Sequence, residues 1–172
     1  MNTLRVAPEW VDVMLIEREA IRAIILTPEN EVLLLRIHLP DSKERFWWIT
    51  PGGGLEPGES VEAGLKRELR EELGLDDYEV GPLVWRRQHT FNWGSKRIRQ
   101  NERYYIVHAD HFEPRMSDPI EVKVFDRFRW WPVAELADSS EPLTPLSLAD
   151  IVARYLVEGA PEGPLALEVL VD

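Results

Sequence analysis

The chain contains no cysteine. Disulfides and thiolate metal sites are thereby excluded, and any metal must be held by oxygen or imidazole ligands, a set that suits a hard cation such as Mg²⁺ or Mn²⁺. Long apolar runs are also missing. No stretch approaches the roughly 18 residues needed to span a bilayer, and the opening MNTLRVAPEW lacks the basic-then-apolar layout of a secretory signal. A soluble cytoplasmic protein with no membrane partner is the expectation. Positive charge is in deficit, with 20 Lys and Arg against 31 Asp and Glu for a net charge of −11. That balance disfavours general affinity for nucleic acid or an anionic membrane surface, while leaving room for a local basic site.

Neither an internal repeat nor a linker divides the 172 residues, of which 44% are hydrophobic and 30% charged. A single globular domain over 1–172 is expected, with 1–18 as an N-terminal arm or irregular edge strand and 159–172 as a C-terminal tail. Ile21, Ala23 and Ile25 alternate with Arg22 and Ile24, and an apolar run follows over 31–38 after Pro28, Glu29 and Asn30. Two strands joined by a turn are the economical reading. Residues 39–45 read as a loop and 46–50 as a brief strand stopping at Pro51. In that strand Trp47 and Ile49 face one way, Trp48 and Thr50 the other. One tryptophan is therefore expected in the core and the other beside a cleft.

Residues 78–93 and 98–109 read as two longer strands around the turn-forming Asn92, Trp93, Gly94 and Ser95. Another strand is expected over 122–131. Pro132 opens a short helix through Ala134, Glu135 and Leu136, and Leu148, Ile151, Val152, Tyr155 and Leu156 give 147–157 the stripe of an amphipathic helix. Residues 165–171 are a candidate last extended piece. This order of elements indicates a mixed sheet with helices packed on it.

The chain is organised around residues 52–75, GGGLEPGESVEAGLKRELREELGL. They read as a glycine-rich loop turning into a helix, with Ser60 as N-cap, Glu62 in the first turn, Leu65, Leu69 and Leu73 as the apolar stripe and Gly74 as the stop. Glu68, Glu71 and Glu72 stand at i, i+3 and i+4 and share one face. Like charges so placed repel by roughly 0.2–0.5 kcal/mol per pair, and the helix dipole disfavours anions toward this end. A cation between them reverses the sign of each contribution.

The spacing is Gly53, five residues, Glu59, seven residues, Arg67-Glu68-Leu69, one residue, Glu71-Glu72, one residue, Gly74-Leu75. It resembles the box of the Nudix hydrolase family, with every fixed position filled over about a seventh of the chain. The resemblance implies an α/β fold, an α/β/α sandwich with a mixed β-sheet and the box helix beside it. It also implies that Glu71 and Glu72 hold Mg²⁺ or Mn²⁺, helped by the Gly52 carbonyl, and that Glu68 is a further ligand or the catalytic base. Glu59 and Arg67 would brace the loop against the helix. Many relatives add an acid from a loop before a late strand carrying an Arg-Trp pair. Arg129-Trp130 fits that strand, but the preceding acids fall at an unusual distance; Glu121 is the first candidate, followed by Asp126 and Glu102.

Substrate contacts must come from elsewhere. Arg86, Arg87, Lys96, Arg97, Arg99 and Arg103 lie within 18 positions against one acid, Glu102. Arg86, Arg87, Arg97 and Arg99 are candidates for holding a phosphorylated substrate, and Trp48 for contacting it; a solvated hairpin or a homodimer contact is the alternative role of this segment. Trp85, His89, Phe91, Trp93, Tyr104 and Tyr105 interleave with the charges, most of them as strand core. The implied activity is hydrolysis of the diphosphate in a nucleoside diphosphate linked to another moiety, or in a nucleoside triphosphate, so the partner is a small nucleotide derivative. The alternative is a nucleotide-binding or regulatory module of the same fold without turnover.

Overall fold

A computed structural model describes residues 14–39, 42–117 and 124–172. Its strands are β1 (Leu15–Leu26), β2 (Glu31–Leu39), β3 (Ser42–Ile49), β4 (Gly52–Gly54), β5 (Glu79–Trp93), β6 (Lys96–His108), β7 (Phe125–Pro132), β8 (Leu143–Thr144) and β9 (Leu167–Val171). The helices are α1 (Val61–Leu73), α2 (Val133–Leu136) and α3 (Leu148–Glu158). Among the described residues the strands form one mixed sheet in the order β8-β3-β2-β1-β6-β5-β9, with β4 paired to β1 and β7 to β2.

Period-2 alternation in β1 and β2 sorts the apolar residues onto two faces. Ile21, Ala23, Ile25, Leu33 and Leu35 pack against Leu65, Leu69 and Leu73 of α1. Ile24, Leu26, Val32 and Leu34 pack on the other side with Leu136 of α2 and Leu148, Ile151 and Val152 of α3. Helices therefore cover both faces, as the α/β/α expectation requires.

Several boundaries differ from those read in the sequence. Residues 15–18 belong to β1 rather than to an arm, because the strand runs parallel to β6 from Leu15 opposite Arg97 onward. Their polarity hid this: Glu17 pairs with Arg99 at 2.8 Å, so the charges meet across strands instead of marking a loop. The rest of the arm, residues 1–13, lies outside the described residues. β3 starts at Ser42, since exposed Lys43, Glu44 and Arg45 extend the strand along β2 into solvent. Within the tail, Leu167–Val171 forms β9, parallel to β5. Leu156 is 41% exposed, so the buried stripe of α3 is narrower than its sequence pattern.

Candidate active site

α1 starts and stops where local chemistry dictates. The Ser60 side chain accepts the Ala63 amide at 3.1 Å, and Gly74 takes the left-handed conformation that closes the helix. The glycines before it do not form a free loop. β4 pairs antiparallel with β1, Arg22 opposite Gly52 and Ala20 opposite Gly54. At Gly52 φ is 132°, and a β-carbon there would collide with the Ile21 carbonyl, so only glycine fits.

That close seating brings the helix acids onto the glycine strand. Glu72 is 2% exposed and its Oε2 accepts the Gly52 amide at 2.7 Å. Glu68, 6% exposed, lies over Gly53: a β-carbon at position 53 would stand 2.7–2.8 Å from its carboxyl atoms. Glu71 is the outer member, with Arg67 Nη1 3.7 Å away. Arg67 acts as a clasp. It donates to Glu59 twice, at 2.9 and 2.8 Å, to the Gly54 carbonyl at 3.0 Å and to Glu68 at 2.6 Å. The hydrogen bond from Arg67, aided by the Glu56 amide, holds the Glu59 carboxyl down at about 2.

Among the described residues, no three His, Asp or Glu side chains already converge as a cation cage. The donor chemistry nonetheless fits a hard ion, since the buried Glu68 and Glu72 carboxyl groups beside the glycine strand offer only oxygens. The absence of a side chain at Gly53 is what lets the Glu68 carboxylate lie there.

The acids sought outside α1 have other partners. Glu102 is buried and accepts from Arg22 at 3.1 Å, Gln100 at 2.9 Å, Tyr104 at 3.0 Å and Arg87. Burial opposes its charge, but Arg22 and Arg87 outweigh that and lower its carboxyl from 4.5 to about 2. Asp126 is bound by Arg36 and Arg127; desolvation opposes ionisation there too, and the two guanidinium groups still lower its carboxyl. Glu121 lies outside the described residues.

The basic segment is divided by the sheet. Arg87 turns inward to Glu102 and to the Thr144 hydroxyl at 2.7 Å, so it belongs to the interior rather than to a substrate surface. Arg86 is exposed opposite Arg103, Arg97 donates to Asn92 and the Asp172 carbonyl, and Arg99 pairs with Glu17. Counting charge along the chain could not reveal that neighbours in a strand face opposite ways. Trp48 likewise is core, 2% exposed, edge-on to Trp131 with its indole N–H donating to Glu141 at 2.6 Å. Trp47, half-buried, is the member of the pair on the other face.

One contact on the glycine strand has no counterpart among the residues singled out from the sequence. Arg22 donates from Nη1 to the Gly52 carbonyl at 2.8 Å while its Nε holds Glu102. Its signal was present, as an arginine between Ile21 and Ala23 inside an apolar strand demands a buried partner.

A family model for the NUDIX domain matches residues 17–154. The chain belongs to the Nudix family. The RNA pyrophosphohydrolase of Yersinia enterocolitica is 29% identical, over 84% of this chain and 83% of its own length. The nucleoside triphosphatase NudI of an Enterobacter strain is 63% identical over 23% of this chain and 29% of its own. An uncharacterized Nudix hydrolase of Bacillus subtilis, YvcI, is 41% identical over 35% of this chain, which spans about a third of that relative, 34%. Among solved Nudix structures, the MutT NUDIX hydrolase of Burkholderia pseudomallei superposes with a TM-score of 0.57 at 25% identity, over 80% of this chain and 96% of that one. The Nudix domain of Shewanella oneidensis NrtR, solved with ADP ribose, shares the fold at a TM-score of 0.58 and 17% identity, over 88% and 94% of the two chains.

Proposed function

We propose that this Nudix protein is a Mg²⁺- or Mn²⁺-dependent pyrophosphohydrolase acting on a nucleoside triphosphate or on a nucleoside diphosphate linked to another moiety. The observation that carries the reading is the seating of Glu68 and Glu72 on the glycine strand, within a box whose every position is filled. Glu71, Glu72 and the Gly52 carbonyl would hold the cation, with Glu68 as a further ligand or as the base that takes the proton of the attacking water. A bound divalent ion neutralises diphosphate oxygens and lowers the pKa of water. The protein supplies position: α1 is pinned by Leu65, Leu69 and Leu73, and Arg67 with Glu59 keeps the turn before it closed. The relatives named as an RNA pyrophosphohydrolase and a nucleoside triphosphatase support this class of substrate.

A panel of nucleoside triphosphates, ADP-ribose-like compounds, dinucleoside polyphosphates and RNA with a 5′-triphosphate tests it, read by phosphate release with Mg²⁺. Turnover of at least one member, abolished by EDTA, is expected. Tight nucleotide binding with no hydrolysis anywhere on the panel would replace the enzyme by a binding module. That second reading draws on the engagement of the box acids with Arg67 and the Gly52 amide, which already gives them partners within the protein.

A further inference from the structure

Pairing with β1 seats the Gly52 backbone, with the Ala23 amide donating to the Pro51 carbonyl at 2.8 Å, but the amide and carbonyl of Gly52 itself meet side chains. A glycine at φ 132° has no side chain to lock it, yet its peptide sits beside the carboxylates proposed to bind the cation. Both ends of the residue are held by side chains. The amide donates to Glu72 of α1 at 2.7 Å, and the carbonyl accepts from Arg22 of β1 at 2.8 Å. Arg22 is itself held, because its Nε donates to Glu102 on β6, whose second oxygen is bound by Arg87 of β5, which reaches Thr144 on β8. A guanidinium can serve two partners in fixed directions where an ammonium cannot.

We infer that Arg22 is a positioning residue for the metal site, orienting the Gly52 carbonyl so that its second lone pair is free for the cation; this rests on the metal-dependent reading of the box. A carbonyl oxygen accepts twice, so the arginine and the ion need not compete for it. A guanidinium near a bound cation is repulsive in itself. Here Glu102 stands 3.1 Å from Arg22 Nε and offsets that charge, and the arginine retains its orienting role. Groups that orient a metal ligand set affinity by about 10–100-fold when removed.

The test is Mn²⁺ binding by the full chain, followed by electron paramagnetic resonance of the free ion, with Mg²⁺ activation and substrate KM measured in parallel. Arg22→Lys keeps the charge but not the fork, and Arg22→Gln keeps a donor but not the charge. Both should raise the Mn²⁺ dissociation constant about tenfold or more, with KM moving less than the Mg²⁺ requirement. Val152→Ala, a truncation on the buried face of α3, should lower stability and leave Mn²⁺ affinity in place. Unchanged affinity in Arg22→Lys, or tighter binding in Arg22→Gln, overturns the inference. Should neither variant fold, Glu102→Gln loosens Arg22 without removing it, and a folded Glu102→Gln protein with wild-type Mn²⁺ affinity overturns it equally. A wild-type protein that binds no Mn²⁺ would instead remove the metal reading, and the role of Arg22 with it.

Discussion

The box region and the β5–β6 hairpin are both dense in charge, and they solve the problem differently. In the box, partners are near in sequence: Arg67 meets Glu59 eight residues away, and Gly52 meets Glu72 at a separation of 20. In the hairpin Glu102 has Arg87 fifteen residues away, but its other ties are remote, with Glu102 joined to Arg22 across 80 residues, Arg99 to Glu17 across 82 and Trp85 to Glu168 across 83. Charge in the first region gathers on one helix and the glycine strand before it, and in the second it chiefly fastens strands together. The two meet at one residue, Gly52, whose amide belongs to the first network and whose carbonyl belongs to the second.

Substitutions can break this contrast. The largest effect is expected from Glu72→Gln, which should lower turnover on an accepted substrate by about three orders of magnitude, about 4 kcal/mol of barrier, while circular dichroism stays native. Near-normal turnover would return Glu72 to a purely structural role. Glu102→Ala should act in the opposite currency, costing about 3 kcal/mol or more of stability in urea unfolding because Arg22 and Arg87 are left without their shared carboxylate.

The same carboxylate sets a pH window. Its folded value is depressed from 4.5 to about 2, so its contribution is complete above 4.5 and is lost as pH falls toward 2. Acid unfolding should therefore steepen across that interval, and a folded Glu102→Gln protein should show a shallower slope there. A profile identical to wild type would refute the assignment. Gly52→Ala is expected to cost at least about 1–3 kcal/mol from backbone strain, visible as a lowered Tm. Smallest should be Arg99→Ala, whose exposed pair with Glu17 at 2.8 Å is worth about 0–1 kcal/mol. A loss much beyond that would mean the hairpin is braced by its surface after all.

These differences explain what was legible in advance. α1 was readable in full, cap to stop, because Ser60, the leucine stripe and Gly74 are local signals, and the Arg67–Glu59 brace followed from the family pattern. β5, β6 and β7 showed through their alternation and turn residues. What failed to show depended on pairing at a distance. β4 looked like a loop because three glycines carry no strand propensity, and it becomes a strand only by lying against β1. Residues 15–18 read as an arm or irregular edge strand because the partner of Glu17, Arg99, lies far along the chain on β6. Trp48 and Arg87 read as substrate contacts from the sequence because nothing in a strand's sequence states which of its two faces is covered.

The bond from the Gly52 amide to the Glu72 carboxylate also gives the site its own reporter. A peptide N–H donating 2.7 Å to a buried carboxyl oxygen is short, which carries its proton resonance downfield of ordinary glycine amides and slows its exchange with water. In a nitrogen-labelled sample that single resonance follows the carboxylate directly. Any event that draws Glu72 toward another partner will move it, with no substrate in the tube and no turnover to measure.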